Sequence, residues 1–393
     1  MRQSVDFDRW ADEFAAEWVR RNPQFVTVRQ YFSGDEQDAL DRRLASADPF
    51  GGVYGVLEAR ERATIAQRGL TELRRFESGD LSPEQQISAA LLESRLRDAI
   101  VTSEFADHEF VFNQFLGLHI ALVLFLTTMH PLRGRRDAEN YLARLAQVAP
   151  RLDEGIAEAA TAAGKGTIPP RFILERTLEQ LDGMIAGAPA EHPLVKTFAE
   201  RMSAAAGISS DEARRFADEA EREVRDRVVP ALVRVRELLA GQVSRSTDAA
   251  GAWALPRGAE YYAARLASET GTSLSAEEIH ATGLREVARI EREMDAILLE
   301  LGYGHGDGSL AERVKAVNET LRFPTEPDAR AAIVKMLEEI LEDAERRSAA
   351  AFNRRPKAPV AIRREPAFSE KSAAAHYTPP APDGSMPGIY WIP

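Results

Sequence analysis

The chain has 393 residues, 50 Lys and Arg against 62 Asp and Glu for a net charge of −12, and no cysteine. That length fits two ordinary domains or one large helical one, and 44% hydrophobic with 28% charged residues is a globular composition. The acidic balance argues against nucleic acid and anionic membranes as partners, and the missing cysteines exclude disulfides, thiolate metal sites, iron–sulfur clusters and a Cys nucleophile.

Residues 1–13 are polar and acidic, without a basic stretch followed by an apolar one. The expectation is a cytoplasmic protein without a leader. Phe7, Trp10, Ala11, Phe14, Ala15 and Trp18 form one apolar stripe at helical spacing, ended by Pro23. Ser82-Pro83-Glu84-Gln85 reads as a capping box with Pro at the first helical position. Ser209 with Glu212 and Ser275 with Glu278 have the same form, and Ser33 is a fourth candidate cap. The run from Phe115 to Leu126 is too short for a membrane span, which needs about 20 apolar residues, and reads as a buried core helix.

Val224, Val228, Leu232, Val235 and Leu239 define a long helix in which Pro230 predicts a kink. Further stripes are Ile279, Leu284, Val287, Ile290, Met294 and Ile297, then Ile333, Leu337, Ile340, Leu341 and Ala344. The predicted helices span about 4–21, 82–104, 108–129, 137–163, 211–240, 275–300 and 327–352. From 354 onward the chain is proline-rich, with strand candidates at 360–362 and 388–392. The fold class is therefore mainly α, with long antiparallel helices and a small β element near residue 393. A helical segment over 1–75 and a helical body over 76–353 are divided where the resemblance described below becomes loose, and the change of character at 354 sets apart a loop-and-strand segment over 354–393. The apolar strand 388–392 either closes a hairpin with 360–362 or awaits a further neighbour.

The chemistry-bearing motifs are incomplete. His108-Glu109 starts a zincin helix, but Phe112 stands where the second His belongs. Those residues read better as an aromatic-rich helix with a partly exposed His-Glu pair. Glu277-Glu278-Ile279-His280 has Glu-x-x-His spacing without the second copy that a di-iron bundle requires. Glu278 is better explained as the reciprocal partner of Ser275. The glycine-rich run 302–308 lacks the Lys-Ser/Thr end of a phosphate loop. Asn113, Gln114 and His119 place polar groups on an apolar helix, where interhelical hydrogen bonding or a cleft wall would account for them. Tyr261 and Tyr262 carry the same two readings.

Taken in order, several segments resemble one bacterial family, labelled domain of unknown function 885. They include Leu81 to Ser88, Asn113-Gln114-x-x-Gly117, His130-Pro131, Asp137 to Leu145 and Gly166-x-x-Pro169-Pro170-Arg171-Phe172. Gly258-x-Glu260-Tyr261-Tyr262, Leu274 to Gly283, Glu286-Val287-x-Arg289-Ile290 and Tyr377-x-Pro379-Pro380-x-x-Asp383-Gly384-Ser385 continue the match. The resemblance implies zinc-dependent peptidases, with a helical body that walls a cleft and a His-Glu-x-x-Pro-Gly-His motif plus a later glutamate. In the family that motif follows the segment that 377–392 resembles, and it is absent here. The chain is therefore expected to be the amino-terminal part of a metallopeptidase, inert alone and holding no metal or cofactor, with zinc belonging to a complete member.

Two alternatives stay open: a non-catalytic helical module that binds peptides, and one half of a split enzyme whose zinc-bearing half is a separate chain. By the resemblance, the strand 388–392 would add a peptide substrate as a further strand, lined by Tyr390. Tyr377 would hydrogen-bond a substrate carbonyl or oxyanion, and Arg363 or Arg364 would hold a substrate carboxylate. No residue of this chain is assigned a catalytic or metal-binding role.

Overall fold

The computed structural model describes the chain except residues 1, 50–51, 53, 204, 206, 323–328, 353–354, 365–373, 381–383 and 385–386, and the side chains of 2–5. The fold is mainly α, with a small three-stranded sheet near residue 393. The chain divides into two compact units, Met1–Gly271 and Thr272–Pro393. The expected divisions lie at 75/76 and 353/354. The first of these falls between two helices that pack on each other, 56–73 and 83–103. Residue 354, at the second, lies outside the described residues.

The first unit holds α1 (Arg2–Arg20), α2 (Pro23–Arg29), α3 (Gly34–Asp41), α4 (Val56–Leu73), α5 (Pro83–Ser103) and α6 (Leu118–Leu124). It continues with α7 (Arg135–Gly164), α8 (Arg171–Ile185), α9 (Pro193–Ser203), α10 (Ser210–Glu223), α11 (Val229–Val243) and α12 (Gly258–Thr270). The main core lies among α6 to α11, where Leu145, Leu174, Leu181, Val228 and Val235 have no accessible surface. A satellite cluster joins Phe14 of α1 to Ala66 and Leu70 of α4 and Leu96 of α5. Trp10 stacks on Phe14 and donates through Nε1 to Glu72 Oε2 at 2.8 Å, satisfying the indole at the edge of that cluster.

Local signals explain most helix starts. Ser82, Ser209 and Ser275 each close a full capping box, and Ser309 with Glu312 forms another that the sequence reading passed over. Ser33 precedes α3 without a side-chain capping bond. The kink expected at Pro230 takes a specific form. Residues 224–228 form a π-helical turn, closed by Val229 N–H to Val224 O, and Pro230 then sits in the first turn of α11. The wider turn accommodates the missing amide of proline within an otherwise continuous helix.

The helix expected over 108–129 does not form as one piece. A 3₁₀ turn covers 106–108, and helix begins only at Leu118, passing into a π turn over 125–129. Asn113 causes the break: its Oδ1 accepts from the amides of Phe115 and Leu116 at 3.0 and 2.9 Å, while its Nδ2 donates to Phe110 O. Such local side-chain bonds compete with the helical ladder. The π turn ends by delivering His130 to the first turn of α7.

There a buried network joins the helices. Arg144 is fully buried on α7. Its guanidinium donates to Arg43 O at 2.9 Å, His130 Nδ1 at 2.8 Å, Thr27 Oγ1 at 2.5 Å and Leu40 O at 3.1 Å. Thr27 in turn donates to Asp41 Oδ1 at 2.5 Å, and Gln37 donates to the same oxygen at 2.9 Å. Burial pushes the Arg144 pKa down to about 10, which leaves it charged at neutral pH. His130 Nε2 lies 2.9 Å from Asp137 O, so the ring is neutral with its proton on Nε2. Burial, then the Arg144 charge, lower the His130 pKa to about 3.

Two further histidines of this unit, His119 and His192, are pushed down to about 4, chiefly by burial. A base whose folded pKa lies below its unfolded value of about 6.5 binds protons more readily in the unfolded chain. Its stabilisation is complete above pH 6.5 and is lost as pH falls toward the folded value. Denaturant unfolding of the first unit should therefore weaken from pH 7 to 5, by roughly 1.4 kcal/mol per histidine per pH unit. A flat profile over that range would refute the buried neutral assignment. Replacing Arg144 by Met should cost about 3–5 kcal/mol at pH 7, because Thr27, His130 and the Leu40 and Arg43 carbonyls lose their common donor; an unchanged midpoint would show the network to be dispensable.

Candidate functional site

The second unit comprises α13 (Ala276–Glu300), α14 (Leu310–Leu321), α15 (Ala329–Ser348), β1 (Val360–Arg364), β2 (His376–Thr378) and β3 (Gly388–Ile392). Residues 327 and 328, expected to begin the last helix, lie outside the described residues. The strands carry β-branched and aromatic residues between prolines at 359, 379–380 and 387, which stop helix and frame short extended runs. The sheet order is β1-β3-β2. β3 runs parallel to β1, with Val360 opposite Gly388 and Arg364 opposite Ile392, and antiparallel to β2, with Tyr377 opposite Tyr390.

This arrangement corrects two expectations. β3 does not close a hairpin with β1, because the two strands are parallel and a parallel pair needs a long crossover. Nor does β3 lack a neighbour: it is the central strand, paired on both sides. A peptide cannot add beside 388–392. Among the described residues the outer edges belong to β1 and β2.

Strand alternation sorts the side chains. Ile389, Trp391, His376 and Thr378 share one face. There His376 stacks on Trp391 with ring centroids 6.2 Å apart, and Trp391 Nε1 donates to Thr378 Oγ1 at 2.9 Å. The opposite face carries Tyr377, Tyr390, Ile362 and Arg364, so the three residues expected to bind substrate stand together. Tyr377 and Tyr390 form a direct cross-strand pair, 47% and 38% exposed. Arg364 is exposed one pleat further along β1, opposite the buried Ile392. Gly388 lies beneath the Tyr377 ring, and a Cβ there would meet the tyrosine hydroxyl and Cζ. The missing side chain thus gives Tyr377 its position. The face offers a phenol hydroxyl, an aromatic wall and a guanidinium to an extended ligand.

The other sequence candidates are held in structural roles. His108 is buried rather than half exposed, with Nδ1 3.0 Å from Asp107 Oδ1 and Nε2 2.6 Å from Pro256 O. Glu109 accepts from the Tyr261 hydroxyl at 3.3 Å, and burial with the Glu109 charge pushes Tyr261 up to about 12. Tyr262 is exposed. Glu278 accepts from the Ser275 amide at 2.8 Å, which places it in the helix cap. Gln114 is bonded through its backbone carbonyl, to Gln180 Nε2 at 3.0 Å. Both ring nitrogens of the buried His119 lack a partner among the described residues.

In the first unit a cavity of about 530 Å³ opens between the N-terminal helices and α7. Its carboxylates are already engaged: Glu58 with Arg21 at 2.7 Å, Glu154 with Ser46 at 3.1 Å and Glu158 with the Val56 amide at 3.2 Å. These pairs tie elements together and leave no activated acid or base.

Residues 31–393 match the family described as bacterial protein of unknown function (DUF885). The chain belongs to this family. A solved structure described as a putative lipoprotein from Colwellia psychrerythraea is similar over 97% of this chain and 67% of that one, at 22% identity and a TM-score of 0.82. At that identity the likeness shows the fold. Among curated proteins none matches. No described helix is long and apolar enough to cross a membrane.

Among the described residues no three His, Asp or Glu side chains converge as a metal site. The segment Asp137 to Leu145 is absorbed by the Arg144 network and by Asp137, which accepts from the Arg133 amide and guanidinium at 2.8 Å. Sequence reasoning missed Ile362 as a member of the tyrosine face. Its place follows only from the β1–β3 register, which no local pattern encodes.

The contact between Gly388 and Tyr377 is testable by a double-mutant cycle. Gly388→Ala should cost about 1 kcal/mol in the parent and markedly less in a Tyr377→Ala background, read by denaturant unfolding. Equal costs in both backgrounds would show that the tyrosine does not rest on the glycine.

Proposed function

We propose that this chain supplies the peptide-binding wall of a zinc-dependent metallopeptidase whose metal-binding segment lies outside these 393 residues. The observation that carries the reading is the convergence of Tyr377, Tyr390 and Arg364 on one open face of the sheet. The match covers 67% of the Colwellia protein, which leaves room for a further segment.

In this reading an extended peptide pairs its backbone with the outer edge of β1 or β2 and lays a side chain against Tyr390. The Tyr377 hydroxyl donates to a peptide carbonyl, and Arg364 holds the terminal carboxylate by charge-assisted bonds. Ordered backbone pairing fixes the scissile bond relative to whatever catalytic group is brought to it. No step of hydrolysis is assigned to residues of this chain. A second reading, a module that binds peptides without cutting them, uses the same face, and activity separates the two.

The test uses the 393-residue chain and a fluorescent hexapeptide with either a free or an amidated C-terminus. The free acid should bind about 5- to 30-fold tighter than the amide, corresponding to roughly 1–2 kcal/mol for a charge-assisted contact. Arg364→Gln should remove that difference, and Tyr390→Ala should weaken both peptides. Equal binding of acid and amide to the parent chain would exclude the proposed carboxylate contact. Incubation of the chain alone with Zn²⁺ and peptide should give no cleavage. Cleavage would show that the metal donors are within this chain after all.

A further inference from the structure

The second unit has almost no core of its own. Of the buried hydrophobic side chains described, only Leu298, Ala358, Ile389 and Ile392 belong to it, and the three hydrophobic clusters all lie in the first unit. Its longest helix, α13, is exposed at every position from 280 to 293. Yet α13 is strongly amphipathic. Val287, Ile290, Met294, Ile297 and Leu301 follow 3-4-3-4 spacing, which is the a/d seam of a coiled coil. Val287, Ile290, Ile297 and Leu301 are 44–57% exposed. The seam runs for about 21 Å along the helix. α14 meets α13 beside the seam, through Arg313 Nη2 to Asp295 Oδ1 at 2.5 Å, and does not cover it.

The charges flanking the seam select its occupant. Glu286, Glu293 and Glu300 stand at the g positions on one side, and Glu291 stands at an e position on the other. The basic residues Arg285 and Arg292 are at f, on the far side of the helix. Arg289, at c, donates to Glu286 at 2.8 Å and Glu293 at 2.7 Å from behind and stays off the seam. A second copy of α13 would set the row Glu286, Glu293 and Glu300 against itself in antiparallel orientation, and Glu286 against Glu291 in parallel orientation. A helix with Lys or Arg beside its apolar stripe would meet the glutamate row on the g border and Glu291, between Leu284 and Leu298, on the other.

We infer that the exposed seam of α13 is a docking surface for an amphipathic partner helix with basic flanks. The inference does not depend on the peptidase reading, since it concerns a different surface.

The probe is a three-heptad peptide with Leu at a and d and Lys at e and g, titrated into the full 393-residue chain by fluorescence anisotropy. It should bind at least about tenfold tighter than the same peptide with Glu at e and g, and the difference should shrink at high salt. Ile290→Asp, at an exposed position that leaves folding intact by circular dichroism, should abolish binding. The pair Glu291→Lys and Glu300→Lys should reverse the preference toward the Glu-flanked peptide. Equal affinity for both peptides, or no binding of either, would overturn the inference. So would a dimer of the free chain, seen by sedimentation and dissolved by Ile290→Asp, because the occupant would then be a second copy.

Discussion

A guanidinium with no access to water imposes the central constraint on the first unit. Arg144 can be buried only if its donors are met, because a stranded charge in the interior costs several kcal/mol. Its partners come from α2, from the end of α3, from the segment after it, and from His130 at the close of the π turn. Each must be in place at once. The pairing therefore fixes how α2 and α3 lie on α7. It also fixes where the π turn must stop, and it requires His130 to stay neutral so that Nδ1 can accept. Apolar packing alone would leave these elements freer to slide, since a hydrophobic contact has no direction and a fork of hydrogen bonds does.

Much of the helical architecture is legible in the chain because its signals are local. The capping boxes at Ser82, Ser209 and Ser275 and the stripe from Val224 to Leu239 need no knowledge of neighbours, and they locate α5, α10, α11 and α13 closely. Legibility fails where a side chain competes with the backbone or where pairing is long-range. Asn113 has the apolar surroundings of a core helix, yet its carboxamide caps three backbone groups and stops helix formation. The register of β3 rests on partners 11 to 28 residues away, and hydrophobic alternation cannot choose between a parallel and an antiparallel neighbour. The tyrosine face was legible as a set of residues and illegible as a place: Tyr377, Tyr390 and Arg364 are recognisable in sequence, while their shared orientation follows from that register.

Amphipathicity and burial part company on α13. The periodicity that marks α11 as a core helix is equally clear on α13, but Val228 and Val235 have no accessible surface and Val287 and Ile290 remain open. A hydrophobic stripe encodes a need for cover. It does not encode who supplies the cover, which is why the two helices read alike in sequence and differ in structure. The flanking residues carry the missing information. On α11 the arginines reach carboxylates on other helices, as Arg234 reaches Asp153 and Arg236 reaches Asp182. On α13 the glutamates of the seam border find at most an arginine of their own helix.

The contrast between the units extends to their chemistry. In the first, the conspicuous polar side chains are turned inward and used up: His108 between Asp107 and Pro256, Arg144 among four acceptors, Tyr141 on the Leu194 carbonyl at 2.6 Å. A group whose hydrogen-bonding capacity is spent on the fold has little left for a ligand. In the second, the aromatic hydroxyls of the sheet and the apolar seam of α13 face outward, and the few buried side chains leave that unit short of internal stabilisation. Burial of apolar area is the main favourable term in folding, at about 25 cal/mol per Å². A unit that leaves such surface open gains more from a partner than one that has already buried it. The same deficit that makes residues 272–393 weakly self-sufficient therefore makes them the part of the chain suited to recognition.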